Sequence, residues 1–238
     1  MLNEKLKRTI QAAYSHILES KHLKPRYGQR LMIAAIARTL GNINKDDPQQ
    51  PHICTLEAGT GTGKTIAYCV AALPIAKAHD KTLIISTATI ALQEQILLKD
   101  LPEIQRHSGL NFSFTLAKGR KRYVCLHHLH NYISQKENAS MALFSAEEDR
   151  LLLNNKNDII LYEALLQAYE KKQWDGERDS WKETIEDSSW YPLTSDQHQC
   201  SGRRCSFYDE CVFYKAREAV FKVDCVVAVS YTHLRAHE

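Results

Sequence analysis

The sequence predicts an α/β fold, a parallel sheet flanked by helices and split by a mostly helical insertion. Three observations predict it. A glycine-rich loop, Glu57 to Thr65, follows the short apolar run Ile53–Leu56 and opens into the apolar run Ile66–Leu73. A second apolar run, Thr82–Thr87, returns one helix later, which makes a strand–helix–strand unit and hence a parallel pair. After Leu116 the texture turns basic, helical and cysteine-bearing until the strand-like Asp224–Val229 rejoins the sheet.

The elements follow in order. Leu2, Leu6, Ile10, Ala13, Tyr14, Ile17 and Leu18 recur at helical spacing and predict an amphipathic first helix. Lys24–Gln29 interrupts it, a second helix runs from about Gln29 to Leu40, and the polar stretch Gly41–Pro51 is a loop. Ile53–Leu56 is the strand before the glycine-rich loop. A helix from about Thr89 to Lys99 stops near Pro102, and Phe112–Leu116 is a third, weaker strand. Beyond it lies the basic loop Lys118–Arg122, then a helix entered through Tyr123–Cys125. Helical, charged sequence with apolar clusters at Leu151–Leu153 and Ile159–Leu166 comes next. The region of Trp174, Trp181 and Trp190 reads as acidic loop, and Val212–Lys222 as a helix. The predicted division is residues 1–117, the first part of the sheet domain; 118–215, the insertion; 216–229, the returning strand; and 230–238, a tail of separate character.

The loop carries the strongest chemistry. Ala58 through Thr65 fits the phosphate-binding pattern with Ala in place of the first Gly. Gly59, Gly61 and Gly63 let the backbone take positive φ and turn its N–H groups onto an anion. The following helix N-terminus adds positive partial charge in the same direction. Thr60 and Thr62 complete the loop, Lys64 reaches the β- and γ-phosphates, and the Thr65 hydroxyl holds Mg²⁺. The bland alternative is a glycine-rich turn. Gln29 offers the donor and acceptor that reading adenine needs, although a helix-start Gln without a ligand is commoner. Thr87, Thr89 and Gln95, where the second strand meets its helix, suit a nucleic-acid backbone or ordinary helix capping.

Composition bounds the rest. The chain has 238 residues and a net charge of only +3, so a nucleic-acid partner must be argued from local patches. No apolar run is long enough to span a membrane. The seven cysteines, an odd number without a visible secretory signal, point to a reducing, cytoplasmic setting in which grouped cysteines suggest metal. Cys200, Cys205 and Cys211 are grouped in a polar, Arg-containing loop, with Cys125 far upstream. Thiolates bind zinc or an iron–sulfur cluster; the uneven spacing, without a Cys-x2-Cys knuckle, favours the cluster, with zinc and free thiols as alternatives. Cys54, Cys69 and Cys225 lie in apolar contexts and read as small core residues. Arg120, Lys121, Arg122 and Arg203 form the dense positive patches. They suit a single-strand backbone, with Tyr123 available for stacking, or else serve solubility.

Together these motifs resemble the iron–sulfur superfamily 2 helicases, most closely the bacterial DinG type, relatives of the XPD-like group. Tyr27-Gly28-Gln29-Arg30 is similar to the family's adenine-reading motif, Glu57–Thr65 to motif I, and Ser86–Gln95 to motif Ia, which touches single-stranded DNA. Gly119–Cys125 with Cys200, Cys205 and Cys211 is similar to its four-cysteine domain. The resemblance implies a RecA-like phosphate-loop sheet interrupted by a domain in which Cys125, Cys200, Cys205 and Cys211 hold a [4Fe–4S] cluster. It implies ATP, Mg²⁺ and the cluster as cofactors and single-stranded, forked or looped DNA as partner. The protein would be a monomeric motor of 5′→3′ polarity acting on repair or replication intermediates, with no membrane. The alternatives are a phosphate-loop ATPase of another class with a zinc knuckle, or a non-catalytic nucleic-acid-binding module. Motif I in this group commonly has Pro where Gly59 stands. The family continues beyond the Val226–Val229 strand into an acidic box and a second motor domain, whereas Ser230–Glu238 matches neither. The expectation is a truncated frame with a foreign tail, inactive alone.

Overall fold

The computed structural model describes residues 2–43, 52–141 and 156–229, and the chain divides into two compact units. One comprises the chain up to Ala117 together with the segment from Ala219; the other runs from Lys118 to Glu218. The predicted Leu151–Leu153 cluster, most of the Gly41–Pro51 loop and the Ser230–Glu238 tail lie outside the described residues.

The first unit is built around one helix that is apolar on every side. Helix α1 (Glu4–Ser20) starts where the Asn3 side chain accepts the Lys5 N–H, and it buries the stripe Ile10, Ala13, Tyr14 and Ile17. Helix α2 (Tyr27–Gly41) buries Met32, Ile33 and Ala37. Both pack on α3 (Lys64–Ala78), through Ala67, Val70, Ala71 and Ile75. The other side of α3 presents Cys69 and Leu73 to Ile85, Phe112, Cys225 and Val227 of the sheet layer. Being buried on both sides, α3 has no polar stripe, which is why its sequence is a continuous apolar run.

Among the described residues the sheet has three parallel strands, β1 (Leu83–Thr87), β2 (Phe114–Ala117) and β3 (Cys225–Val229), in the order β1-β3-β2. The strand that comes last in sequence is central, with Val227 opposite Ile85 on one side and Leu116 on the other. Cys225 through Ala228 are all buried, as a central parallel strand requires. Its entry is fixed by Asp224, whose carboxylate accepts the Ser113 N–H at 2.7 Å and the Ser113 hydroxyl at 2.9 Å.

Two expectations for this unit change. Ile53–Leu56 forms no strand; Ile53 is 80% exposed and Cys54 is exposed, so Cys54 is not a core residue. A short apolar run becomes a strand only where a ladder partner meets it, and β1, β2 and β3 pair among themselves. Nor does Pro102 stop the helix after β1. Helix α4 (Ile90–Gln95) passes through a π-helical turn, Ile96–Asp100, into α5 (Leu101–His107). Pro102 falls in the first turn of α5, where its missing N–H costs little.

The second unit packs α6 (Leu126–Met141) on α7 (Lys156–Glu170), with α8 (Asp187–Trp190), α9 (Val212–Val220) and short 3-10 turns around them. The tryptophan stretch read as loop shares its core with Leu126 and Leu129 of α6 and Tyr162 and Leu165 of α7. Trp174 and Trp190 are buried, and the Trp174 ring meets Trp181 and Trp190 edge-on at 5.4 and 6.3 Å. Two of the three indole N–H groups find a carbonyl, Trp174 that of Glu177 and Trp190 that of Lys121, both at 2.8 Å, whereas the buried Trp181 N–H has no partner among the described residues. Irregular backbone thus adds Trp174 and Ile185 to the core without any hydrophobic period to announce them.

Candidate functional site

The loop before α3 has the form of an anion cradle. Gly61 and Gly63 take positive φ, +74° and +78°, whereas Gly59 does not, contrary to expectation. A Cβ built at Gly59 or Gly61 meets nothing within 4 Å, so the loop lies open. Gly63 is the N-cap of α3 and no side chain caps the helix, leaving its first-turn N–H groups to face an anion. Lys64 lies across the loop, its ammonium donating to the Ala58 and Gly59 carbonyls, each at 2.9 Å. The Thr62 hydroxyl donates to the Gly59 carbonyl at 2.8 Å, and Thr60 is exposed beside it. Burial pushes the Tyr68 phenol up to about 12, against the opposing pull of the neighbouring Thr65 hydroxyl. The open cradle, uncapped helix and lysine fit a polyphosphate.

Gln29 is buried, and both ends of its amide are engaged. Oε1 accepts the Tyr14 hydroxyl at 2.8 Å and Nε2 donates to the Gly63 carbonyl at 3.0 Å. Arg26 donates to the Gly61 carbonyl. Sequence reasoning missed Tyr14 and Arg26: Tyr14 sits in the apolar stripe of α1 and carries no other signal.

The motif Ia residues behave mainly as structure. Thr87 is buried and donates to the Thr89 carbonyl at 3.1 Å, while Thr89 caps α4 by accepting the Leu92 N–H at 3.3 Å. Gln95 is exposed at the end of α4.

Cys125, Cys200, Cys205 and Cys211 all lie in the second unit, each partly buried. Cys125 is held at the start of α6, its N–H donating to the Leu193 carbonyl at 2.7 Å. Burial pushes its thiol up against the pull of the His128 and His127 N–H groups, and Cys211 and Cys205 are near enough to add to the rise. Cys200 differs. Burial would raise it, but the Gly202 N–H, the Arg120 guanidinium and the Tyr214 hydroxyl together hold it below the usual thiol range. Among the described residues no three His, Cys, Asp or Glu side chains are placed to hold one metal ion. Cys69 and Cys225 are buried core thiols, Cys69 pushed well up and Cys225 to about 12 by burial.

The basic residues are less available than the sequence suggests. Arg122 pairs with Asp179 through Nη2, and through Nε at 3.1 Å; Lys118 pairs with Glu177 and, at 3.1 Å, Asp179. The Arg120 guanidinium sits 4.0 Å from the Phe213 ring centre. Lys121 and Arg203 remain exposed. Tyr123 is buried against Phe213, ring centres 6.0 Å apart, and is not available for stacking on a base.

No family model matches the chain. It is 37% identical over 229 residues to a protein of Photobacterium profundum named ATP-dependent DNA helicase DinG, covering 96% of this chain and 32% of that one. It is 36% identical over 228 residues to the protein of the same name from Escherichia coli strain K12, covering 95% of this chain and 31% of that one. A Salmonella choleraesuis protein of that name matches equally, at 36% over 95% of this chain. The chain thus spans about a third of the length of the curated relatives it matches.

Proposed function

We propose that this chain is the part of a DinG-type ATP-dependent DNA helicase that binds nucleotide and contacts single-stranded DNA. The observation that carries the reading is the open loop at the uncapped N-terminus of α3, with Lys64 lying across it. Bound there, Mg²⁺–ATP supplies the free energy of phosphoryl transfer. Lys64 would offset charge on the β- and γ-phosphates, Ala58–Gly63 would cradle them, and the Thr65 hydroxyl would hold the metal. The names of the relatives and their similarity over nearly all of this chain support DNA as the partner.

Cys125, Cys200, Cys205 and Cys211 would hold a [4Fe–4S] cluster. The chemistry of the donor set supports this: four partly buried thiols in one unit, one of them held below the usual thiol range by Gly202, Arg120 and Tyr214. A tetrahedral zinc ion at about 2.3 Å from each sulfur needs its ligands much closer together than a cubane, which takes one thiolate at each of four separate irons. Lys121 and Arg203 are the first candidates for DNA phosphates, with Arg120 and Arg122 reaching them by leaving Phe213 and Asp179. Gln29 would contact adenine, and Thr87, Thr89 and Gln95 the single strand, in a monomeric motor of 5′→3′ polarity acting on forked or looped repair intermediates. Strand separation by the whole protein tests the reading. Duplexes with a 5′ tail should be unwound and those with only a 3′ tail should not, and Lys64→Ala should abolish both ATP turnover and unwinding. Unwinding that survives Lys64→Ala would overturn it.

A further inference from the structure

Tyr14 does something the nucleotide-loop motif does not require. Its hydroxyl donates to Gln29 Oε1 at 2.8 Å, and Gln29 Nε2 in turn donates to the Gly63 carbonyl at 3.0 Å. Both side chains are almost out of solvent, Tyr14 at 9% and Gln29 at 6% exposure. The chain of bonds runs from α1 through α2 to the residue that starts α3. A side-chain amide can turn over and exchange its donor and acceptor ends. A carbonyl can only accept, so the Gly63 bond requires Nε2 on the loop side and leaves Oε1 facing Tyr14. The phenol supplies the donor that this orientation needs.

The Gly63 carbonyl belongs to the same planar peptide as the Lys64 N–H, and in a trans peptide the two point in opposite directions. Holding the carbonyl toward Gln29 therefore aims the Lys64 N–H the other way, as the cradle needs. The Ala67 N–H, at 3.1 Å, is the carbonyl's other partner and shares in fixing the plane. Gly63 is also where side-chain volume is forbidden: a Cβ there would lie 2.2 Å from Gln29 Nε2.

We infer that Tyr14 is a positioning residue for polyphosphate binding, acting through Gln29 on the Gly63–Lys64 peptide. The inference rests on the nucleotide-binding reading and deepens it, because it gives Gln29 a role on the phosphate side of the site in addition to any contact with the base. Removing the phenol leaves Oε1 buried without a donor. Gln29 then turns toward water and the loop peptide loses its tether.

The test is binding of ATP and of inorganic tripolyphosphate to the chain and to Tyr14→Phe, Gln29→Glu and Lys64→Ala. Tyr14→Phe should weaken both ligands by the same factor, about five- to tenfold, the loss of roughly one buried hydrogen bond. Gln29→Glu keeps an acceptor for Tyr14 but has no N–H for Gly63, so it should weaken tripolyphosphate at least as much. It also carries the test if Tyr14→Phe does not fold. Weaker ATP binding with unchanged tripolyphosphate binding would place the effect on the base and overturn the inference. So would a lower melting temperature with both affinities unchanged, the signature of a merely structural phenol. If Lys64→Ala loses both ligands while Tyr14→Phe binds as the parent does, the inference fails and the nucleotide reading stands. If the parent binds neither ligand, both fail.

Discussion

Alanine at each of the three loop glycines should give three different results. Gly59 has ordinary backbone and open space for a Cβ, so Gly59→Ala should leave stability unchanged or raise it by up to about 1 kcal/mol by restricting the unfolded chain. Gly61 also has open space but a φ of +74°, so Gly61→Ala should cost about 1–2 kcal/mol of left-handed strain. Gly63 combines a φ of +78° with a Cβ position 2.2 Å from Gln29 Nε2. The far end of a glutamine can swing away, but this one is buried between two partners. Moving it gives up the bonds to Tyr14 and Gly63, each worth about 1 kcal/mol. Gly63→Ala should therefore cost about 3–4 kcal/mol. Urea unfolding of the four proteins reads the series directly. Gly63→Ala as stable as Gly61→Ala would show that the Gln29 contacts contribute nothing, and would refute the reasoning.

Other outcomes follow from the same geometry. Single Cys→Ser changes at Cys125, Cys200, Cys205 or Cys211 should lower iron and sulfide content after anaerobic purification, whereas Cys69→Ser and Cys225→Ser should not; equal iron in all six would remove the cluster assignment. Lys121→Ala should flatten the salt dependence of single-strand binding by about 0.7 in log–log slope. Asp179→Asn, by releasing Arg122, should steepen it, and a slope unmoved by either change would make the basic segment a solvated face. Asp224 is held below the usual carboxylate range by the Ser113 N–H first, then by its hydroxyl and Lys77, while burial opposes them. A carboxylate depressed in the folded state adds stability above its unfolded value, about pH 3.9, and loses it as pH falls through the folded value. Acid unfolding should thus be steeper in the parent below about pH 4 than in Asp224→Asn, and identical acid limbs would contradict the tether.

What the sequence made legible was what local chemistry determines. The stripe of α1, the apolar run of α3 and the glycines before Lys64 each carry a pattern with a physical cause, and α1, α3 and β1 lie close to where those patterns put them. The central place of β3 was only partly legible: its continuous apolar run announced a buried strand, but the β1-β3-β2 order depends on long-range pairing. Ile53–Leu56 shows the limit from the other side, since an apolar run does not contain its ladder partner. Pro102 reads as a stop, yet the π turn before it shifts the helix register so that the ring falls in a new first turn. At the site, the pattern identified the loop, but not that Gln29 is tied to Tyr14 or Arg122 to Asp179. Those pairings join residues 15 and 57 positions apart, a separation at which no sequence spacing carries a signal.

The central claim is that the loop around Lys64 powers work on DNA. It is tested most directly by ATP hydrolysis of the whole protein with and without single-stranded DNA, in the parent and in Lys64→Ala. The account predicts turnover that rises on adding the strand and falls by about two orders of magnitude or more in the variant, in keeping with a few kcal/mol of lost charge stabilisation. Turnover indifferent to both the strand and Lys64 would contradict it.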